Sequence, residues 1–333
     1  MEKKSSNSVI NLGTLVPVLG FTVVLPLLAG SLTIIPLLLL VLFSTSTFIL
    51  ANKLTNLVNF ENQALTTLLP IIGCYIISVF LFPVLIIPSN YLGVIVISIL
   101  VIGAFGMAFR TTQYSFTLDK EILLTSVVSL IVLLVFYRLP EALSATPLMY
   151  SSYFQDAYWF TANTASLTDG SFSSSLYEEG TGVYHHILGL FPAAVIGRLC
   201  GISTHTALWS IATPFGILCS VTAVLSVLSL VKPNKSNILY KSIGLCAILF
   251  LFPINPNYLL AGRLTEMVWF GPGQTLPVLP TWVSIYVFSS MFILLLYYVR
   301  DSLNWKIILL SIVLSLGIGW GKVTSYAMFI GAV

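Results

Sequence analysis

Residues 90–109 read NYLGVIVISILVIGAFGMAF, an unbroken apolar run without a single charge. As a helix it would rise about 30 Å, the thickness of a bilayer's hydrocarbon core. Further apolar runs lie on either side, near 10–29, 31–50, 64–87, 121–137, 206–230, 240–256, 281–299 and 304–320. Short polar connectors separate most of them. This spacing predicts an all-α, polytopic transmembrane helical bundle with about nine or ten crossings. The composition agrees. Of 333 residues 57% are hydrophobic and 8% charged, with a mean hydropathy of +1.01. A soluble fold carries roughly 25% charged residues. The net charge of +3 is spread thinly along the chain and gives no reason to expect nucleic acid as a partner.

Cys74, Cys200, Cys219 and Cys246 form no CxxC pair, and three of them sit in apolar runs, so they read as small core residues. Lys3 and Lys4 precede the first run, and no small-residue cleavage site follows, so the first helix is expected to be retained. By the positive-inside rule these lysines place the N-terminus in the cytoplasm, and counting helices puts Lys53, Arg110 and Lys120 there too. A multi-pass protein, of the plasma membrane, is the expectation. From Arg138 to about His205 the chain is polar, aromatic and rich in Ser, Thr and Gly. That stretch is too long for a connector and falls on the outer side. A second irregular stretch runs from Asn255 to Pro280.

Residues 183–199, VYHHILGLFPAAVIGRL, decide the topology beyond that loop. If they span, Lys232, Lys235 and Lys241 fall outside. If they lie in the interface or re-enter, those lysines fall inside with Arg300 and Lys306. The second choice satisfies the positive-inside rule, and it suits a segment broken by Pro192 and flanked by His185, His186 and Arg198. No internal repeat, phosphate-binding glycine loop or low-complexity tract is evident.

The candidate chemistry gathers on the outer face. The loop reads SSYFQDAYWFTANTASLTDGSFSSSLYEEGTGVYHHILGLFP over 151–192. Asp156 stands among Tyr153, Phe154, Tyr158 and Trp159. A carboxylate crowded by rings at an interface could act as a base or bind a metal; a helix N-cap or a solvated loop acid is the plainer alternative. Asp169, in LTDGS, reads as a turn acid. Tyr184, His185 and His186 could orient a sugar or phosphate, or simply anchor the segment in the interface. Adjacent histidines diverge on a helix and make no ready metal pair, and Glu178 and Glu179 read as solvated. Arg263 and Glu266, three apart, could pair on one helical face. Lys322 could bind a phosphate or snorkel to headgroups. An acid and several cations on one membrane face suit a substrate with a lipid tail and a phosphate.

In the order of these features the chain resembles the GT-C superfamily, polytopic glycosyltransferases that use polyprenyl-phosphate-linked sugars. Asp156 matches the acid early in the first large outer loop. GVYHHILGLFPAAVIGRLCGIS matches the amphipathic segment that follows it, and ALWSIATPFGILCSVTAVLSVLSLVKPNK the next helix with its basic end. GWGKVTSYA looks like a small-residue, Lys, Val, Ser/Thr element of some multi-spanning relatives. The resemblance covers roughly 121–325. It implies N-terminal transmembrane helices over 1–120, and a GT-C-like core over 121–333 that carries the outer loop 138–205 with juxtamembrane helices. It implies Asp156 as the catalytic acid-base residue, with Tyr184, His185, His186, Arg263, Glu266 and Lys322 around the donor. The implied partners are a lipid-linked sugar donor, a glycan, lipid or protein acceptor, and membrane lipid.

There are departures from the family pattern. The acid lacks the paired D-E or D-x-D, so a divalent metal is compatible with the site but not indicated, and the cofactor stays unknown. Four extra helices precede the core. The chain ends at Val333, about 11 residues into another apolar run, as in a fragment or a shortened member. A transporter or flippase for lipid-linked glycans would need charges at mid-depth, which the apolar runs lack. A polymerase of such glycans would carry arginines in its large outer loops; Arg138 and Arg198 stand near the ends of this one.

Overall fold

The computed structural model describes residues 9–28, 32–58, 62–86, 91–109, 113–136, 157–170, 187–231, 238–246 and 280–299. Over these residues the protein is mostly helical. A short strand β1 (Val9–Asn11) leads into α1 (Leu12–Leu19), a π turn at Gly20–Val24 and α2 (Leu25–Leu28). α3 (Ile34–Val58) and α4 (Gln63–Phe80) follow, the latter ending in a 3₁₀ turn at Phe82–Ile86. α5 (Leu92–Phe109) leads to β2 (Gln113–Ser115), which pairs with β1 in parallel. Next come α6 (Lys120–Ile131) with a π turn at Val132–Phe136, α7 (Ala157–Thr168), a 3₁₀ turn at Leu188–Leu190 and α8 (Phe191–Cys200). A π turn at Thr206–Ala212 runs into α9 (Thr213–Val231), and α10 (Ile238–Cys246) and α11 (Pro280–Val299) follow.

Among the described residues, three stretches are long and apolar enough to cross a membrane: Ile34–Asn56, Gln63–Val84 and Thr206–Leu230. The third is the hub, packed on by α4, α6, α10 and α11. Ile217, Leu218, Cys219, Val221, Ala223 and Leu225 in α9 are fully buried. By contrast α5 turns Val94, Ile95, Ile99 and Ile102 outward, and α6 with its π turn exposes Leu123, Val127 and Leu134. An apolar exterior on this scale is untenable in water and is what a bilayer requires. Cys74, Cys200 and Cys219 are free and buried, as expected of core residues.

The two ends of the bundle are built differently. At one end, Asn62 caps α4 through Oδ1, which accepts from Ala64 N at 3.0 Å, and its Nδ2 donates to Ser229 O in the last turn of α9 at 3.1 Å. Thr67 donates to Asp119, the residue before α6, at 3.0 Å. Asn11 caps α1 and also accepts from Thr117 N at 3.1 Å. Lys241 of α10 donates to Glu121 of α6 at 2.7 Å. Lys241, Glu121 and Lys120 therefore share one side of the bundle.

Candidate functional site

All seven residues singled out for chemistry, Asp156, Tyr184, His185, His186, Arg263, Glu266 and Lys322, lie outside the described residues. What is described is the frame between them in the chain: α7, which starts one residue after Asp156, then α8, and the π turn that leads into α9.

α8 is ten residues long, about 15 Å, half of what a crossing needs. It forms because Pro192 sits in the first turn, where its missing N–H costs nothing. It stops because Gly201 adopts φ 66°, with its N–H and that of Ile202 both donating to Gly197 O. Its start lies against the end of α4, where Phe191 stacks on Phe82 with ring centroids 3.8 Å apart and planes 5° apart. Its end lies against the start of α5, so close that a Cβ on Gly93 would sit 2.8 Å from Leu199 O. The end of α4 and the start of α5 are neighbours along the chain, at the end of the bundle opposite the Glu121–Lys241 pair. Both ends of α8 are therefore held there, and the helix closes that end.

The segment was expected to lie on the interface or to re-enter. α8 is covered by α3, α4, α5, α7 and the π turn, and Ala193, Ala194, Val195 and Cys200 are fully buried. A helix resting on the leaflet would leave one face open; this one, buried at every residue but Arg198, is a plug, an arrangement that a re-entering segment also allows. Burial also pushes the Cys200 thiol up to about 12, which makes it an inert packing group.

α7 is fastened to this plug. Phe160, Asn163, Thr164 and Leu167 form its buried face, at i, i+3, i+4 and i+7. Phe160 meets Trp209 edge to face at 6.5 Å, and Trp209 Nε1 donates to Thr161 Oγ1 at 2.9 Å. Arg198 Nη1 donates to Thr168 O at 3.0 Å, which puts a cation at the C-terminal end of α7, where the helix dipole favours it. Asn163 is 1% exposed, and neither end of its amide has a partner. His205, just before the π turn, is half-buried, and desolvation lowers its imidazole below the ordinary 6.5. Asp169 is exposed and ends α7, with its N–H donating to Ala165 O.

Sequence reasoning expected juxtamembrane helices in the outer loop without locating α7, and gave no role to Asn163, Trp209 or the Glu121–Lys241 pair. Only the i, i+3, i+4, i+7 spacing of Phe160, Asn163, Thr164 and Leu167 could have exposed α7. Among the described residues no group of three or more His, Cys, Asp or Glu could hold a metal ion. No family model matches the chain, and neither does a curated protein or a solved structure.

Proposed function

We propose that the chain is a polytopic membrane glycosyltransferase of the GT-C kind, crossing about nine or ten times with its N-terminus in the cytoplasm. It transfers a sugar from a polyprenyl-phosphate donor to an acceptor hydroxyl on the outer face, with Asp156 as the base. One observation carries the reading. The GT-C-like stretch 182–203 contains a short helix, buried at every residue but Arg198, that closes one end of the bundle and is bonded to α7 through Arg198. Lys120 and Lys241 gather at the other end. An enzyme working at the outer surface needs such a rigid floor, because a misplacement of about 1 Å can cost about 10²-fold in rate.

In the reaction the acceptor oxygen bonds to the anomeric carbon as its proton passes to the Asp156 carboxylate. The bond to the phosphate oxygen breaks, and polyprenyl phosphate leaves with its charge held by cations. Arg263 and Lys322 are the candidates for that role.

The test is transfer from a radiolabelled polyprenyl-phosphate sugar into extracted glycan. Asp156→Asn should lower turnover by about 10²–10⁴-fold at matched expression, with donor affinity held. Asp169→Asn should leave turnover unchanged. Equal loss in both variants, or full activity in Asp156→Asn, overturns the assignment.

A further inference from the structure

Six hydroxyls inside the bundle are buried and have no partner in the protein: Thr14 on α1, Ser46 on α3, Tyr75 on α4, Thr125 and Ser129 on α6, and Thr213 at the start of α9. Most buried hydroxyls here are satisfied locally. Thr22, Ser78, Thr222 and Ser226 each donate to the carbonyl four residues back. The six exceptions do not, and four of them, Thr14, Tyr75, Thr125 and Ser129, lie on helices that adjoin. α1, α4 and α6 pack on one another, and α9 packs on both α4 and α6.

The hydrogen bond from Thr67 to Asp119 sets the register of α4 against α6. From that level Thr125 is six residues on, about 9 Å; Tyr75 is eight on, about 12 Å; and Ser129 is ten on, about 15 Å. By that rise Tyr75 stands at a level between Thr125 and Ser129. Those two lie one turn apart on the inward face of α6 and its π turn, with Ile122, Val128 and Val132, while Leu123, Val127 and Leu134 face out. Thr14 stands at the start of this rise, where α1 begins beside Thr117.

A buried hydroxyl without a partner loses its hydration for nothing, and four in one seam compound the cost. Water is the ligand this chemistry fits. It needs two to four polar partners, and hydroxyls both donate and accept. We propose that the seam between α1, α4, α6 and α9 binds a file of ordered water molecules, running from the Glu121–Lys241 end of the bundle to Ser129. The file wets the interior of the helix packing on the side away from α8. It is independent of the sugar-transfer reading.

The experiment is brief X-ray radiolysis of the full chain in lipid nanodiscs in H₂¹⁸O, with ¹⁸O uptake read by mass spectrometry. Hydroxyl radicals formed from a bound water attack the side chain beside it. Tyr75, 1% exposed, should take up ¹⁸O at a rate comparable with Tyr114, 56% exposed. Trp209, equally buried and bonded to Thr161, should stay at background. Tyr75 at background overturns the proposal.

A second arm replaces Thr125→Val and Ser129→Ala together. Removing partners of bound water should lower the melting temperature and reduce Tyr75 uptake several-fold. A higher melting temperature with Tyr75 uptake no lower than in the unaltered chain shows that these two hydroxyls hold no water and also overturns the proposal. Should the double variant not fold, uptake by the unaltered chain decides alone.

Discussion

One end of the bundle is tied by charge and the other is plugged by an apolar helix. At the first, Glu121–Lys241, Thr67–Asp119 and Asn62–Ser229 join α4, α6, α9 and α10 by polar contacts between residues far apart in sequence. At the second, α8 packs against α3, α4 and α5, its Arg198 donates to Thr168 O of α7, and Trp209 of the π turn donates to Thr161 of α7. The difference separates two jobs. A polar tie holds helices together and leaves whatever lies at the far end untouched. A plug sets the position of everything fastened to it, including the helix that begins one residue after Asp156.

The comparison breaks most directly at the plug. Phe191→Ala removes a ring that is 6% exposed and stacked on Phe82, and should cost about 3 kcal/mol or more. If α8 is the floor of the site, the variant loses turnover as well as stability. A thermal melt in detergent and the sugar-transfer assay at a temperature where the variant is folded separate the two losses. A destabilised variant with full turnover would show that α8 is packing and nothing more.

Glu121→Gln tests the tied end. It strands Lys241, whose side chain is 9% exposed, and should cost about 3 kcal/mol with turnover of the folded fraction unchanged. The pH dependence has a definite sign. Burial pushes the Glu121 carboxyl up, but the hydrogen bond and charge of Lys241, its own backbone N–H and nearby Lys120 together bring it below 4.5. A carboxyl depressed on folding stabilises the protein fully above its unfolded value, and that contribution disappears as pH falls through the folded one. The unaltered chain should therefore lose stability below pH 4.5 more steeply than Glu121→Gln. Parallel acid limbs in melts of the two proteins would dismiss the pair as a stabilising contact.

These two ends also show what the sequence discloses. Apolar run length locates α4, α5, α9 and α11 within a few residues, because lipid-facing and protein-facing positions are both apolar and the run is the signal. It stops short on α3. The run was read to residue 50, and the helix continues to Val58 through ANKLTNLV with Asn52 and Thr55 buried. It misses α7 altogether. That helix carries Asn163 and Thr164 where a sequence reader looks for an apolar stripe, so its period is chemical camouflage: the pattern is helical, but the residues are polar. The partnership of Glu121 with Lys241 spans 120 positions, and only the positive-inside count hinted that they share a side. Around the candidate site the sequence named Asp156 and the segment that contains α8, but a linear reading held nothing to say that every residue of α8 but Arg198 would be buried.

The finest test compares two asparagines at the tied end. Asn11 and Asn62 each cap a helix with Oδ1, accepting from Gly13 N at 2.9 Å and Ala64 N at 3.0 Å. Their second contacts differ in direction. Asn11 Oδ1 accepts again, from Thr117 N, whereas Asn62 Nδ2 donates to Ser229 O. Aspartate keeps every acceptor of asparagine and loses the donor. Asn11→Asp should therefore preserve both bonds and gain slightly from a negative charge at the N-terminus of α1, by roughly 0.3–1 kcal/mol. Asn62→Asp keeps the cap but sets a carboxylate oxygen against the Ser229 carbonyl, so the bond joining α4 to α9 becomes a repulsion. A loss of about 1 kcal/mol net is expected, with the dipole gain offsetting part of it. Melts of the two variants above pH 6, where both carboxylates are charged, should move in opposite directions. Movement in the same direction would show that capping alone matters at Asn62 and that α9 is held at this end by something other than its last turn.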